Sequence, residues 1–438
     1  MTLKYIPKYY WIAASVLLAV VVALVSCYLP ESDLPGYPHA TNKNALGNAK
    51  LITNVRILLD TTESVDFYSS GLLEIRQLES RWPNARTSAV LATLPGGVTY
   101  KIKNSAGQWI IADSHKPQSN IIAHSQHIEI SPLSDNTISY STANRKRSAY
   151  RGSMRLFAKA GPKFYVVNAL DMEDYLLGVV SSESYSSWNM PTLRAQAIIA
   201  RTYALYQRFC DNAHYKWDMQ ATQASQAYGG IAKETSRASQ AVRETAGIVL
   251  AFGEPGQEKL FPTYYSAICG GHTQDASAVF NENLTPLKGV PCPYCKSIAP
   301  AGRYQWKTVS ISKKVASQRI IQRYPSLAGL GQINQIEIES IANSGRLESV
   351  KLYGSTGRTA NLKASELRLA ITTAENPVLS SWYKLTDDGK NWIFSNGRGW
   401  GHGVGLCQWG SQQMAIMGKN SVQILNHYYP EATLIKAY

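Results

Sequence analysis

The feature that most limits this chain is an uncharged apolar run from Trp11 to Leu29, preceded by Lys4 and Lys8. Roughly 20 apolar helical residues span a bilayer core, so residues 1–29 read as a signal anchor or a signal peptide. Lysines on the amino-terminal side favour a cytoplasmic start. Whatever folds after residue 29 is therefore expected on the far side of the membrane. Within the run, Leu24-Val25-Ser26-Cys27 has the order of a bacterial lipobox, which would make Cys27 the lipid-carrying residue. A plain transmembrane helix with an incidental cysteine is the alternative. Residues 30–48 are rich in Pro, Gly and Asn and lack periodicity, as a flexible tether does.

Beyond the tether, strands and helices come in blocks. From 49 to 150, short β-type runs alternate with turns, among them residues 51–59, 98–102, 109–111 and 127–130. Strands at 154–157 and 164–167 flank a Gly161-Pro162 turn. The character then changes: residues 171–180 and 191–209 read as helices, the second with Asn189 as cap and Pro191 in its first turn. A helix is expected over 308–324, a strand pair at 333–341 and 347–353 around Asn343-Ser344-Gly345, and a terminal helix from Met414 to Tyr429. This order lacks βαβ alternation, so the expected class is α+β, a β-rich body with several helices around a substrate groove. The body proper is expected over 151–438, with a less distinctive α/β segment around 303–375.

Composition narrows the partners without choosing one. In 438 residues, 45% hydrophobic content allows a sizeable core, and a net charge of +14 favours an anionic neighbour such as lipid, nucleic acid or cell-wall polymer. The basic residues are scattered apart from Arg145-Lys146-Arg147, so no nucleic-acid tract is read here.

Three stretches could carry chemistry. In the first, Asp171, Glu173 and Asp174 open a helix, where carboxylates favour the dipole and act as caps. Glu183 stands apart: it follows Val179-Val180, sits among serines and precedes Tyr185 and Trp188. A carboxyl in apolar, aromatic surroundings stays protonated more easily and can serve as a general acid. In the second, Cys269-Gly-Gly-His272 and Cys292-Pro-Tyr-Cys295 form two chelating pairs nineteen residues apart. One structural zinc ion accounts for both pairs. A redox dithiol or a Cys292–Cys295 disulfide are alternatives, and Cys407 competes with His272 as a ligand. The third stretch, Gly397 to Gly410, holds six glycines in fourteen residues, with Trp400 and Trp409 able to stack on sugar rings. Arg398, His402 and Gln408 offer hydrogen bonds there. Its spacing is not a dinucleotide fingerprint.

Together the stretches MEDYLLGVVSSESYSSWNMPTLRAQAIIARTYAL, SQAYGG, AVRETAGIVL, YYSAICGGHTQDASAVF and GRGWGHGVGLCQWGSQQMA, ending in ILNHYYP, resemble the stage II sporulation protein D / LytB family. The resemblance covers roughly 150–438. It implies a peptidoglycan lytic transglycosylase acting on glycan strands stripped of stem peptides, with Glu183 at the position of the catalytic glutamate. It also implies a groove lined by His402 and Gln408. Arg201, Tyr228, Ser266 and Arg398 are assigned to the same groove. Zinc near Cys-Gly-Gly-His is a property of some members, and here its ligands would be Cys269, His272, Cys292 and Cys295. Some members are called amidase enhancers, so a glycan-binding activator of a cell-wall amidase is the alternative function. The expected location is the cell envelope, outside the cytoplasm.

Overall fold

The computed structural model describes residues 54–78, 87–105, 107–133, 137–211 and 216–438. The expected anchor, the tether and Cys27 lie outside these residues. No helix among the described residues is long and apolar enough to cross a membrane.

The chain divides into two compact units. The first comprises residues up to Ser187, Gln196–Pro262 and Leu434–Tyr438; the second comprises Trp188–Ala195 and Thr263–Thr433. The molecule is α+β, as the block order predicts.

Unit one is built on two sheets. The larger has seven strands, in the order Met219–Gln220, Asn54–Thr62, Phe164–Asp171, Ser153–Ala158, His127–Pro132, Leu73–Leu78, Thr87–Leu94. The smaller has six, in the order Arg145–Arg151, Thr137–Thr142, Ser64–Tyr68, Thr99–Ser105, Gln108–Asp113, Lys116–His124. Alternation does the sorting: in Thr99–Ser105 every second residue is buried, Ile102 completely. Trp109 of the smaller sheet meets Phe164 of the larger edge-on, with ring centroids 5.2 Å apart. Both rings are fully buried, and burying a Phe side chain stabilises by roughly 1.5–3 kcal/mol.

The larger sheet delivers the chain into helix α1 (Met172–Glu183). Asp171 caps it, its Oδ1 accepting the Glu173 N–H at 2.8 Å. The predicted capping role holds for Asp171, while Glu173 is drawn to Arg201, and the helix runs farther than expected. Glu183 is its last residue and not part of a loop. Helix α2 (Met190–Tyr206) follows and closes in a single π-helical turn, Gln207–Asp211. Helix α3 (Ser236–Glu244) leads to the strand Ile248–Phe252.

Unit two has a core drawn from residues 306–394, including Trp306, Ile320, Val350, Leu367, Trp392 and Phe394. The expected strand pair is present as Ile333–Ile341 and Leu347–Gly354, extended by Thr359–Lys363. A second sheet joins Val309–Ser312, Asn391–Ser395 and Lys384–Asp387. The helix expected over 308–324 is shorter: residues 309–312 are strand, and Ser312 then caps helix α4 (Lys313–Arg323). The expected terminal helix is two, α5 (Gln408–Ile416) and α6 (Ser421–Tyr428). The break falls at Gly418, whose φ of +82° suits glycine, and Asn420 caps the second helix.

Candidate functional sites

In unit one, Glu183 is half-buried at the carboxyl end of α1, and its Oε1 accepts the Ala227 N–H at 2.6 Å. Ala227 belongs to Ser-Gln-Ala-Tyr-Gly-Gly, and the rest of that motif is spent on placing it. Gln226 is fully buried: its Oε1 accepts from Tyr175 Oη at 3.1 Å, and its Nε2 donates to Ala200 O at 3.3 Å. Tyr228 is buried and donates to Asn168 Oδ1 at 3.0 Å. Gly178 of α1 leaves room for it, because a Cβ there would come within 3.0 Å of the Tyr228 ring. The last turn of α1 holds no basic residue, so the negative end of the helix faces its terminal carboxyl uncompensated from within the helix.

Two groove assignments in this unit are corrected. Arg201 is completely buried; Nε and Nη2 grip the two Glu173 oxygens at 2.7 Å each, and Nη1 donates to Ile248 O at 3.0 Å. Glu173 also accepts from the Gly247 N–H and from Tyr438 Oη. A guanidinium used so fully in the interior cannot reach a ligand. Tyr228 is likewise an interior strut. Arg208, seven residues beyond Arg201 along the chain, also pairs, at 3.3 Å, with the buried Asp218. Glu173 and Asp174 stand ten and nine residues before Glu183 on one helix, roughly 14–15 Å along its axis, so neither is a second carboxyl beside it.

In unit two, four cysteines converge. The Sγ atoms of Cys269, Cys292, Cys295 and Cys407 all lie within 4.8 Å of one another, and all four residues are buried. The chain reaches this arrangement through the two glycines after Cys269, with φ of +88° and +123°, which only glycine adopts readily. Gly271 O then accepts the Cys292 N–H at 2.9 Å, and the strands Tyr265–Ser266 and Leu406–Cys407 pair in parallel. His272 is not in the cluster: its Nδ1 lies 2.6 Å from Thr273 O, turned to the backbone. The predicted ligand set is corrected, with Cys407 in place of His272. The signal for it was the isolated cysteine directly after the glycine-rich stretch.

The donor set fits one tetrahedral zinc ion. Sulfurs each about 2.3 Å from zinc stand about 3.8 Å apart. Cys269 Sγ and Cys295 Sγ are 3.6 Å apart. Polar groups already reach the sulfurs, Cys269 N–H to Cys407 Sγ at 3.2 Å and Tyr428 Oη to Cys292 Sγ at 3.1 Å. Burial, with the neighbouring sulfurs adding to it, pushes the Cys269 and Cys407 thiols up, and a divalent cation would supply the opposing charge that thiolates need.

The glycine-rich stretch is packed by its own protein. A Cβ at Gly397 would fall 2.0 Å from the Trp306 ring, at Gly405 1.9 Å from Tyr264 O, and at Gly410 2.1 Å from Tyr428 Oη. What approaches these glycines closely is neighbouring chain. His402 among them is half-buried. Its Nδ1 accepts the Val404 N–H at 3.0 Å and its Nε2 donates to Tyr265 O at 2.8 Å, with Phe280 against its ring at 5.2 Å. Burial, with Arg368 and Arg346 adding to it, pulls its pKa down to about 3, so the ring is neutral. Both ring nitrogens are used within the protein, so neither is free to bond a ligand. Gln408 and Ser266 are buried too, Ser266 Oγ without a hydrogen-bond partner. Arg398 is exposed and lies over the Trp382 ring, 5.5 Å from its centroid; Arg303 covers Trp400 at 4.5 Å. Trp409 packs on the buried Trp188.

Residues 160–252 match the model of the family described as stage II sporulation protein, SpoIID, and residues 298–405 match a domain of unknown function, DUF8618. An uncharacterised protein of Brachyspira hyodysenteriae is 31% identical over 280 residues, covering 64% of this chain and 70% of that protein. The amidase enhancer of Bacillus subtilis is 25% identical over 389 residues, 78% of this chain but half of the enhancer's own length. Stage II sporulation protein D of the same organism is 25% identical over 288 residues, 62% of this chain and 76% of that protein. The chain belongs to the SpoIID/LytB family.

Proposed function

We propose that the protein is an envelope-located, extracytoplasmic lytic transglycosylase that cleaves peptidoglycan glycan strands, with Glu183 as its single acid/base. The observation that carries this reading is the fixing of the Glu183 carboxyl by the Ala227 N–H, from a motif otherwise devoted to holding that N–H in place. Ordinary glycosidases need two carboxylates, because water or the enzyme must attack the sugar. A lytic transglycosylase needs one. Glu183 gives its proton to the glycosidic oxygen as the C1–O bond breaks. The C6 hydroxyl of the same muramic acid residue forms the new bond to C1, and Glu183 takes that hydroxyl's proton, ending as it began. The distance of Glu173 and Asp174 from Glu183 along α1 is consistent with this one-carboxyl chemistry.

The same reading takes zinc as the ion of the four-cysteine site. Cys269, Cys292, Cys295 and Cys407 would hold it, closed to water and structural in role. Attachment to the membrane through the amino terminus, by a helix or by lipid on Cys27, completes the proposal.

The test is turnover of purified glycan strands freed of stem peptides, wild type beside Glu183→Gln. The expected result is anhydro-muramic ends from the wild type and a loss on the order of 10²–10⁴-fold in the variant. The relative named amidase enhancer favours a second reading, a glycan-binding activator of a cell-wall amidase. Glycan binding without anhydro ends, together with stimulation of an amidase, would support that reading and end the first.

A further inference from the structure

Arg346 is completely buried in unit two, and no carboxylate pairs with it among the described residues. It stands at the end of the turn joining Ile333–Ile341 to Leu347–Gly354, inside the segment 298–405. Its Nη2 donates to Cys269 O at 2.7 Å and its Nη1 to Gly401 O at 3.4 Å, while Nε is buried without a partner. The guanidinium lies flat against Gly403, where a Cβ would come within 2.5 Å of Cζ. The turn is anchored beside it: Ser344 Oγ accepts the Arg346 N–H and donates to Gln274 Oε1, and Gln274 N–H donates to Gly403 O.

Carbonyl oxygens satisfy the geometry of a guanidinium but not its charge. Burying a cation without a counter-charge costs several kcal/mol. Arg346 holds the carbonyl of Cys269, one of four clustered cysteines that, as thiolates around a divalent ion, would be a net dianion, itself costly to bury. Each charge answers the other.

We propose that Arg346 is the counter-cation of the four-cysteine metal site. The 298–405 segment thereby supplies the charge balance for a site whose ligands, Cys269, Cys292, Cys295 and Cys407, all lie outside it. The inference rests on the metal reading given above. It makes Arg346 a positioning residue for the site, remote from any glycan chemistry.

Zinc release from the purified full chain to a chromophoric chelator tests it, with wild type, Arg346→Lys and Arg346→Gln compared. Charge balance predicts that the lysine variant releases zinc at close to the wild-type rate, although it melts lower for want of the carbonyl bonds. The glutamine variant is expected to release it on the order of 10–100-fold faster. A merely bridging arginine predicts that lysine and glutamine fail alike, and that result overturns the proposal. So does wild-type release from the glutamine variant. If the glutamine variant does not fold, the lysine variant decides: release on the order of 10–100-fold faster from it sinks the counter-cation. Wild-type protein without stoichiometric zinc ends the metal reading first, which separates the two failures.

Discussion

Glu183 and His402 stand in the two most distinctive stretches of the chain, and the protein uses them in opposite ways. Glu183 ends a helix, half-buried, with a backbone N–H from another motif fixing one oxygen. His402 has both ring nitrogens tied to its own backbone surroundings and a phenyl ring against it. Around Glu183, the motif residues build a holder for one carboxyl. Around His402, the motif glycines exist because Trp306, Tyr264 and Tyr428 occupy the space a Cβ would fill. A motif dense in glycine and aromatics looks like a ligand surface in sequence, yet its density here answers to internal packing.

The sharpest way to break that contrast lies in the four-cysteine site, which decides whether the glycine-rich region is architecture. Cys407→Ser is expected to abolish stoichiometric zinc and to destabilise the protein by on the order of 5 kcal/mol or more, because metal binding and folding are one free energy at such sites. His272→Ala is expected to keep its zinc and to cost about 1 kcal/mol or less. Metal analysis and thermal unfolding of the two variants read this directly. Zinc lost from the histidine variant and retained by the serine variant would restore the ligand set expected from sequence.

Acid sharpens the contrast next. The folded His402 pKa of about 3 lies below the ordinary 6.5. Between those values the unfolded chain binds a proton that the folded chain does not. The stability owed to the neutral ring is therefore full above about pH 6.5 and drains as pH falls toward 3. His127 in unit one, pulled down to about 4 chiefly by burial, adds a slope of the same sign. His402→Gln should be less stable at pH 7.5 by about 1–3 kcal/mol, through a buried polar group left unmatched. It should also show a shallower fall in melting temperature between pH 6.5 and 3. A slope equal to that of the wild type would mean that His402 titrates normally and is open to solvent.

Most of the fold was legible, and the failures share a cause. Block order gave α+β, and alternation located the strands at 99–105, 127–132, 153–158 and 333–354 closely. The family resemblance placed Glu183, while its position on a helix went unseen because Ser181 and Ser182 are poor helix formers; each hydroxyl instead bonds back to the carbonyl four residues earlier. Arg346 was hidden, and Cys407 stayed a competitor of His272, because the meaning of both depends on which distant segments meet. Arg201 misled for the converse reason: it reads as a groove cation, and Glu173, which grips it, sits in what reads as a capping cluster.

The smallest expected effect bears on Glu183 itself. If its bond to the Ala227 N–H is a means of orientation, removing charge without removing the acceptor should hardly disturb the fold. Glu183→Gln keeps an oxygen for the Ala227 N–H and is expected to shift the unfolding free energy by about 0.5 kcal/mol or less in urea. Glu183→Ala leaves that N–H without its protein acceptor and should cost about 0.5–1.5 kcal/mol. The pair separates an oriented carboxyl from a structural one. A glutamine variant destabilised by about 3 kcal/mol or more would put Glu183 in the same category as Glu173, the anion that pairs with the buried Arg201. The contrast with His402 would then disappear, because both motifs would be architecture.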